Sequence, residues 1–184
     1  MSYPARLLEA AAAALDFGRA EEALGYLDEL LASDPGHDDA RRLRAGLLAR
    51  LPGRTADALA DCARIASLTD DDHRLRARLY AQMDDPDAAV AVLMPLWSAQ
   101  RHPADADMLL YLWLRRASPA DLDAALTLLD SLPDTWNWRI VRGDVLAARG
   151  DRAGAAACYI AARAAVTDRT LLRYLDDRIA HLAP

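Results

Sequence analysis

The sequence predicts an all-α fold, an α-solenoid of about five antiparallel helix pairs closed by a C-terminal capping helix. Three observations carry this prediction. Apolar residues make up 53% of the 184-residue chain and only one of them is Phe, so the core must be built mainly from Ala and Leu, both strong helix formers. A unit recurs along the chain: Gly18-Arg19 is followed by Ala23-Leu24 just as Gly53-Arg54 is followed by Ala58-Leu59, 35 residues on, and a third copy opens at Gly150, 97 residues further. Finally, the alternation of apolar and polar residues that marks a strand is nearly absent.

The elements follow in chain order. The Ala-rich run 5–17 forms a helix that stops at Gly18, a residue that takes the left-handed cap conformation without a Cβ penalty. A second helix, 20–33, carries Ala23, Leu27 and Leu30 at helical spacing and closes at Pro35. The pair recurs as 38–51, ending near Gly53, and 55–68, with Ala58, Cys62 and Ile65 on one stripe. Thr69-Asp70-Asp71 supplies a cap and early negative charge for 71–83, and 86–100 follows with Pro95 in its middle. Segments 104–116 and 119–131 form the fourth pair, the latter started by Ser118-Pro119 with Asp121 in its first turn. Asp134-Thr135 opens 135–149, and 152–165 begins after Gly150. In the last segment, 168–182, Leu171, Leu172, Leu175, Ile179 and Leu182 share a stripe while Arg169, Arg173, Asp176 and Asp177 lie mostly away from it, as a helix capping the end of a stack requires.

The pattern resembles the tetratricopeptide repeat (TPR) family. The matching residues are Leu7, Ala11, Ala14, Gly18, Ala23, Leu27, Leu30 and Pro35 in the first copy, and Arg42, Gly46, Ala49, Gly53, Ala58, Cys62 and Ile65 in the second. The fifth matches with Gly143, Leu146, Gly150, Ala155, Tyr159 and Ala162. The middle copies depart from it, with Asp84 or Ala120 where the turn Gly is expected and Trp113 in a small-residue slot. The resemblance implies one domain over 1–184 in a right-handed superhelix, with repeats near 4–37, 38–70, 71–103, 104–134 and 135–167 and a cap helix at 168–182. It assigns Gly46 and Gly143 to close packing of the first helix of a unit on its second, and it implies a concave groove for a protein or peptide ligand. By register the lining is Leu43, Leu47, Arg50, Arg74, Arg78, Leu110, Leu114, Asn137, Ile140 and Asp144. Arg74 and Arg78 share a helix face and can hold an acidic feature of the ligand. Some members clamp a C-terminal carboxylate with Lys and Asn; this chain has no Lys and a single Asn, so that clamp is missing.

The remaining features point away from chemistry. All 22 basic residues are Arg, the mark of a GC-rich, bacterial type of genome. With 28 acidic residues the net charge is -6, which opposes a phosphate-binding surface and so nucleic acid as the main partner. Cys62 and Cys158 are too far apart in sequence for a metal knuckle. Thr69-Asp70-Asp71-Asp72-His73 reads as a helix start rather than a metal site, the other histidines fall at turns or near the C-terminus, and no phosphate loop or nucleophile elbow occurs. No membrane span or signal peptide is expected, which gives a cytoplasmic protein without cofactor or metal. Arg142-Gly143-Asp144 lies within a helix, where an adhesion motif cannot work. Trp136 and Trp138 diverge by about 200° on their helix, so one packs and the other is free to anchor a partner. The expected function is a non-catalytic scaffold or adaptor. Holding an export substrate as a chaperone, self-assembly (including a homodimer through the cap stripe) and carbohydrate binding are the alternatives.

Overall fold

The computed structural model describes residues 2–182. Among them are eleven helices: α1 (Tyr3–Asp16), α2 (Ala20–Ser33), α3 (Asp38–Leu48), α4 (Thr55–Cys62), α5 (Asp70–Gln82), α6 (Pro86–Gln100), α7 (Pro103–Arg116), α8 (Pro119–Asp130), α9 (Trp136–Ala148), α10 (Arg152–Arg163) and α11 (Arg169–Leu182). No strand occurs among the described residues. The helices group into two compact units, Met1–Ala99 and Gln100–Pro184.

Helix starts set the repeat. Ser2 Oγ accepts from the Ala5 N–H, His37 Nδ1 from Ala40, Thr69 Oγ1 from Asp72 and His102 Nδ1 from Ala104. Thr135 occupies the same place before α9, but its side chain accepts from no helix N–H. These caps are 35, 32, 33 and 33 residues apart. The side chains of Ser2, His37, Thr69 and His102 each satisfy one of the backbone donors a helix leaves open at its first turn. Helix turns are set by left-handed residues: Gly18, Gly53 and Gly150 at φ of 72°, 74° and 89°. In the glycine-poor middle, Asp84 (φ 61°) and Ala117 (φ 50°) take that conformation instead. The fourth turn thus pivots on Ala117 rather than on Ala120, because Ser118 must stand outside α8 to cap it.

One helix is shorter than its apolar pattern. The predicted 55–68 ends at Cys62, since the Asp38 carboxylate accepts the N–H groups of Ala66 and Ser67 (3.1 and 3.2 Å) and Arg42 donates to the Ser67 carbonyl. Those backbone groups are drawn to the first helix of their own repeat and do not continue α4. Pro95, by contrast, is accommodated within α6.

In the first unit, α1, α2 and α3 bury Leu7, Ala11, Leu27, Leu30, Leu31 and Ala40 together, and α3, α4 and α5 bury Ala45, Leu48, Ala58, Cys62 and Leu79. Burial pushes the Cys62 thiol up to about 11, so it stays protonated as a small apolar group. In the second unit, α11 lays Leu171, Leu175, Ile179 and Leu182 on Ala155, Tyr159 and Ala162 of α10, which is the place expected for the cap helix.

From the second cap on, the close-packed slot falls eight residues after the cap, at Ala45, Ala77, Leu110 and Gly143. Three of the four are at most 2% exposed and Gly143 is buried as well. Gly143 therefore packs as expected: a Cβ there would lie 2.5 Å from the Tyr159 ring. Gly46 does not, because it stands one position later and a Cβ on it would meet no atom within 4 Å. Likewise Leu110, not Trp113, fills the small-residue slot of the fourth pair.

Candidate functional site: an arginine-bearing groove on the first unit

α3 and α5 run parallel and in step. Arg42 meets Asp72 near their N-terminal ends (2.9 Å), and Ala45 and Leu48 share a cluster with Leu75 and Leu79 further along. Between them opens a groove of about 760 Å³. Its walls repeat one register. Leu43, Gly46, Leu47 and Arg50 of the α3 segment stand 6, 9, 10 and 13 residues after His37, and Leu75, Arg78, Leu79 and Gln82 of α5 stand at the same steps after Thr69. Leu15 of α1 adds to the apolar lining.

The charges in this groove are not balanced. Arg42 is held by Asp39 and Asp72, and Arg74 pairs with Asp71 at 3.1 Å. Among the described residues Arg50 and Arg78 have no ion pair or hydrogen bond. Two guanidinium forks without carboxylates thus stand beside an aliphatic floor, on a chain whose net charge is -6. An anionic ligand group gains there what the rest of the surface denies it.

The N-terminal wall is structurally fixed. Burial pushes the Asp72 carboxyl up, but the Thr69 N–H and hydroxyl and the Arg42 guanidinium outweigh it and hold it below the usual carboxylate range. A carboxyl lowered by folding stabilises the protein fully above its unfolded pKa of about 3.9 and loses that contribution as pH falls through the folded value. Asp72→Asn is therefore expected to cost about 1.5–3 kcal/mol at pH 7 and to flatten the loss of stability between pH 4 and pH 2. Urea unfolding of parent and variant across that range checks both; parallel curves would mean that Asp72 carries no acid-labile stability.

The structure brings together Leu43, Leu47, Arg50 and Arg78 of the expected lining and distributes the others. Arg74 stands one helix position before the groove face, turned to Asp71. Leu110 is a core residue of the second unit, 2% exposed, because it fills the close-packed slot. Leu114 is half-buried, and Asn137 is exposed and accepts from the Thr135 hydroxyl. Ile140 packs on the α10–α11 cluster. Asp144 is at the groove step of its helix, but it accepts from the Tyr159 hydroxyl at 2.7 Å and pairs with Arg178. Sequence reasoning missed Gly46, Leu75, Leu79 and Gln82; the cap-to-cap spacing was the signal that could have found them.

Trp136 is 43% exposed, whereas Trp138 is half-buried against a pocket of about 250 Å³. The arginines of that pocket are engaged, Arg139 with Asp134 and Arg142 with Asp130. Among the described residues no group of three or more His, Cys, Asp or Glu could hold a metal ion. No helix among them is long and apolar enough to cross a membrane.

Paired helices with this cap spacing and a groove between successive first helices define the tetratricopeptide-repeat fold, and solved structures agree. The chain superposes on MamA with a TM-score of 0.72 at 16% identity, over 86% of this chain and 89% of that one. It superposes on YrrB, a TPR protein with an unusual peptide-binding site, with a TM-score of 0.72 at 15% identity over 96% and 98%. The TPR-like repeats of a putative kinesin light chain from Podosopora anserina give 0.66 at 17% identity over 89% and 96%. No protein-family model and no curated protein matches the chain. The fold is an all-α helical repeat.

Proposed function

We propose that this protein is a non-catalytic, cytoplasmic adaptor that holds a protein or peptide segment with an acidic feature in the groove between α3 and α5. The observation that supports it is the pair Arg50 and Arg78, uncompensated beside Leu43, Leu47 and Leu75. Apolar side chains supply contact area and the forks orient a carboxylate. The peptide-binding site of YrrB, a protein of the same fold, is consistent with this use.

Arg50→Glu with Arg78→Glu is expected to weaken binding by at least tenfold, since it turns two attractive charges into repulsive ones at the contact. Its melting should change little, because neither side chain has a partner to lose. Capture from a lysate of the native host, comparing parent and double variant, checks this. A partner held equally by both, with the variant folded, would remove the groove from the function.

A further inference from the structure

We propose that Arg76 of α5 receives a side-chain carboxylate from a partner protein, at a docking point on the side of the helix turned away from the groove. Arg76 and Arg78 are two residues apart and so about 200° apart around α5. Since Arg78 lines the groove, Arg76 does not, and the proposal stands whatever the groove holds.

The repeat shows what this arginine lacks. The seventh residue after the cap is Arg44 in the second repeat, Arg76 in the third and Arg142 in the fifth. Arg44 is gripped by Asp61 on the second helix of its own repeat and by Asp28 on that of the preceding one. Arg142 is held by Asp130 of α8, again the preceding second helix. Asp61, Asp28 and Asp130 stand 6, 8 and 11 residues after the first residues of their helices; counted in the same way on α6 and α4, the counterparts around Arg76 are Val92, Ala63 and Ala66. None of them carries a charge. Asp72, one turn before Arg76, is already engaged by Arg42 and Thr69. Among the described residues Arg76 therefore has no ion pair or hydrogen bond, and its Nε is buried without an acceptor. Its two Nη groups are not buried and can be reached from outside. A buried donor left unanswered costs stability, and a guanidinium partly withdrawn from water gains more from a carboxylate than a fully solvated one does.

The surroundings define the partner. Arg76 is near enough to Cys62 of α4 for its charge to work against the burial that raises that thiol. On the same segment Ala63 and Ala66 are exposed, and their small side chains leave room for a foreign one. Arg64, between them in sequence, is a second exposed cation without an ion pair. One exposed ion pair shifts an equilibrium only about two- to fivefold, too little to retain a free carboxylate ion. The acid must arrive on a protein surface whose other contacts hold it in place, an Asp or Glu flanked by apolar residues that lie on the alanines.

Two measurements test this. In the first, Ala63→Asp supplies the missing acid from within the chain; Ala63 keeps right-handed helical dihedrals, so its side chain continues the helical path of α4. The change should affect the urea-unfolding equilibrium at least twofold more favourably in the parent than in Arg76→Gln, the coupling expected of an ion pair. Equal effects in the two backgrounds would overturn the proposal, because Arg76 would then not face α4. In the second, the Arg76 Nε–H signal, identified by its loss in Arg76→Gln, is followed by NMR. The probes are acetyl-Ala-Leu-Ala-Glu-Ala-Leu-Ala-amide, its analogue with Gln in place of Glu, and sodium acetate, all at the same concentrations. The Glu peptide should move the signal and the Gln peptide should not, and the movement should disappear in Ala63→Asp. A signal that answers both peptides alike, or neither, would overturn the site. Acetate as effective as the Glu peptide would replace the protein partner by a free acid. The response should survive Arg50→Glu with Arg78→Glu; its loss there would place the binding in the groove and overturn the separate docking point.

Discussion

Asp61→Ala lowers stability by about 3–5 kcal/mol, the largest loss expected from a single polar substitution in the chain. Only 4% of the Asp61 side chain is exposed, and Arg44 grips it with two bonds, Nε at 2.7 Å and Nη2 at 2.6 Å. The same guanidinium reaches Asp28 on α2 at 2.6 Å, so one arginine of α3 ties together α2 and α4. These bonds, Asp61 foremost, raise the Arg44 pKa well above its usual value, which is to say that folding favours its charge. Arg41 adds a second cation, 4.0 Å from Asp61, with its Nε buried and without a hydrogen-bond partner. Removing Asp61 leaves two guanidinium groups in a partly desolvated space with Asp28 alone to answer them. For a chain of this length the loss corresponds to a fall in melting temperature on the order of 10 °C. Urea unfolding at pH 7 measures it, and a cost below about 1 kcal/mol would show that water reaches the site freely. The double change Arg44→Met, Asp61→Leu separates two causes. It removes the charges together and should recover most of the loss, because a buried ion pair and an apolar pair of similar size are often close in stability. If the double variant is as unstable as Asp61→Ala, packing rather than the unpaired charge dominates.

Much of this architecture was legible because helix-forming composition, turn glycines and the repeat all point to one answer. Gly18, Gly53 and Gly150 could be read directly, since a left-handed turn leaves few other choices. What could not be read is what long-range bonds impose. No local signal ends α4 at Cys62; the Asp38 carboxylate, 28 residues before Ala66, does so. His37 and His102 looked like turn residues with no task, because an imidazole caps a helix only when its Nδ1 happens to face the open N–H groups. The groove suffered from a shift of one position. Gly46 looked like the small packing residue, yet Ala45 fills that slot, and the same slip places Arg74 in the lining and Leu110 on an open face. Arg50 and Arg78 were both named from sequence, but the property that distinguishes them, having no carboxylate partner, depends on where every Asp of the unit goes. A sequence shows charges, whereas only a structure shows which are already answered.

Gly143 and Gly46 look interchangeable in sequence and are expected to respond to alanine with opposite signs. In a helix, Gly→Ala should gain about 0.5–1 kcal/mol from the smaller backbone entropy loss if the new methyl group finds room. At Gly46 it does, with no atom within 4 Å, so Gly46→Ala is expected to stabilise by that amount. At Gly143 the Cβ would lie 2.5, 2.8 and 2.9 Å from Cε1, Cδ1 and Cζ of Tyr159. The ring cannot withdraw cheaply. It is 1% exposed, its hydroxyl is bonded to Asp144, and Arg178 lies 5.8 Å from its centre. Overpacking of this kind costs about 1–3 kcal/mol, which outweighs the gain and leaves Gly143→Ala destabilised by about 1–2 kcal/mol, with Gly143→Val worse. Thermal and urea unfolding of the two alanine variants side by side decide the matter: the same sign at both sites would contradict the packing described for α9 on α10. A cycle with Tyr159→Leu sharpens it further. If the clash with the ring is the cause, Gly143→Ala costs less in the Tyr159→Leu background than in the parent, and the difference is the coupling between the two side chains. Simple additivity would instead place the cost in the α9 backbone, where a glycine eight residues after the cap would then be needed for a reason other than its neighbour.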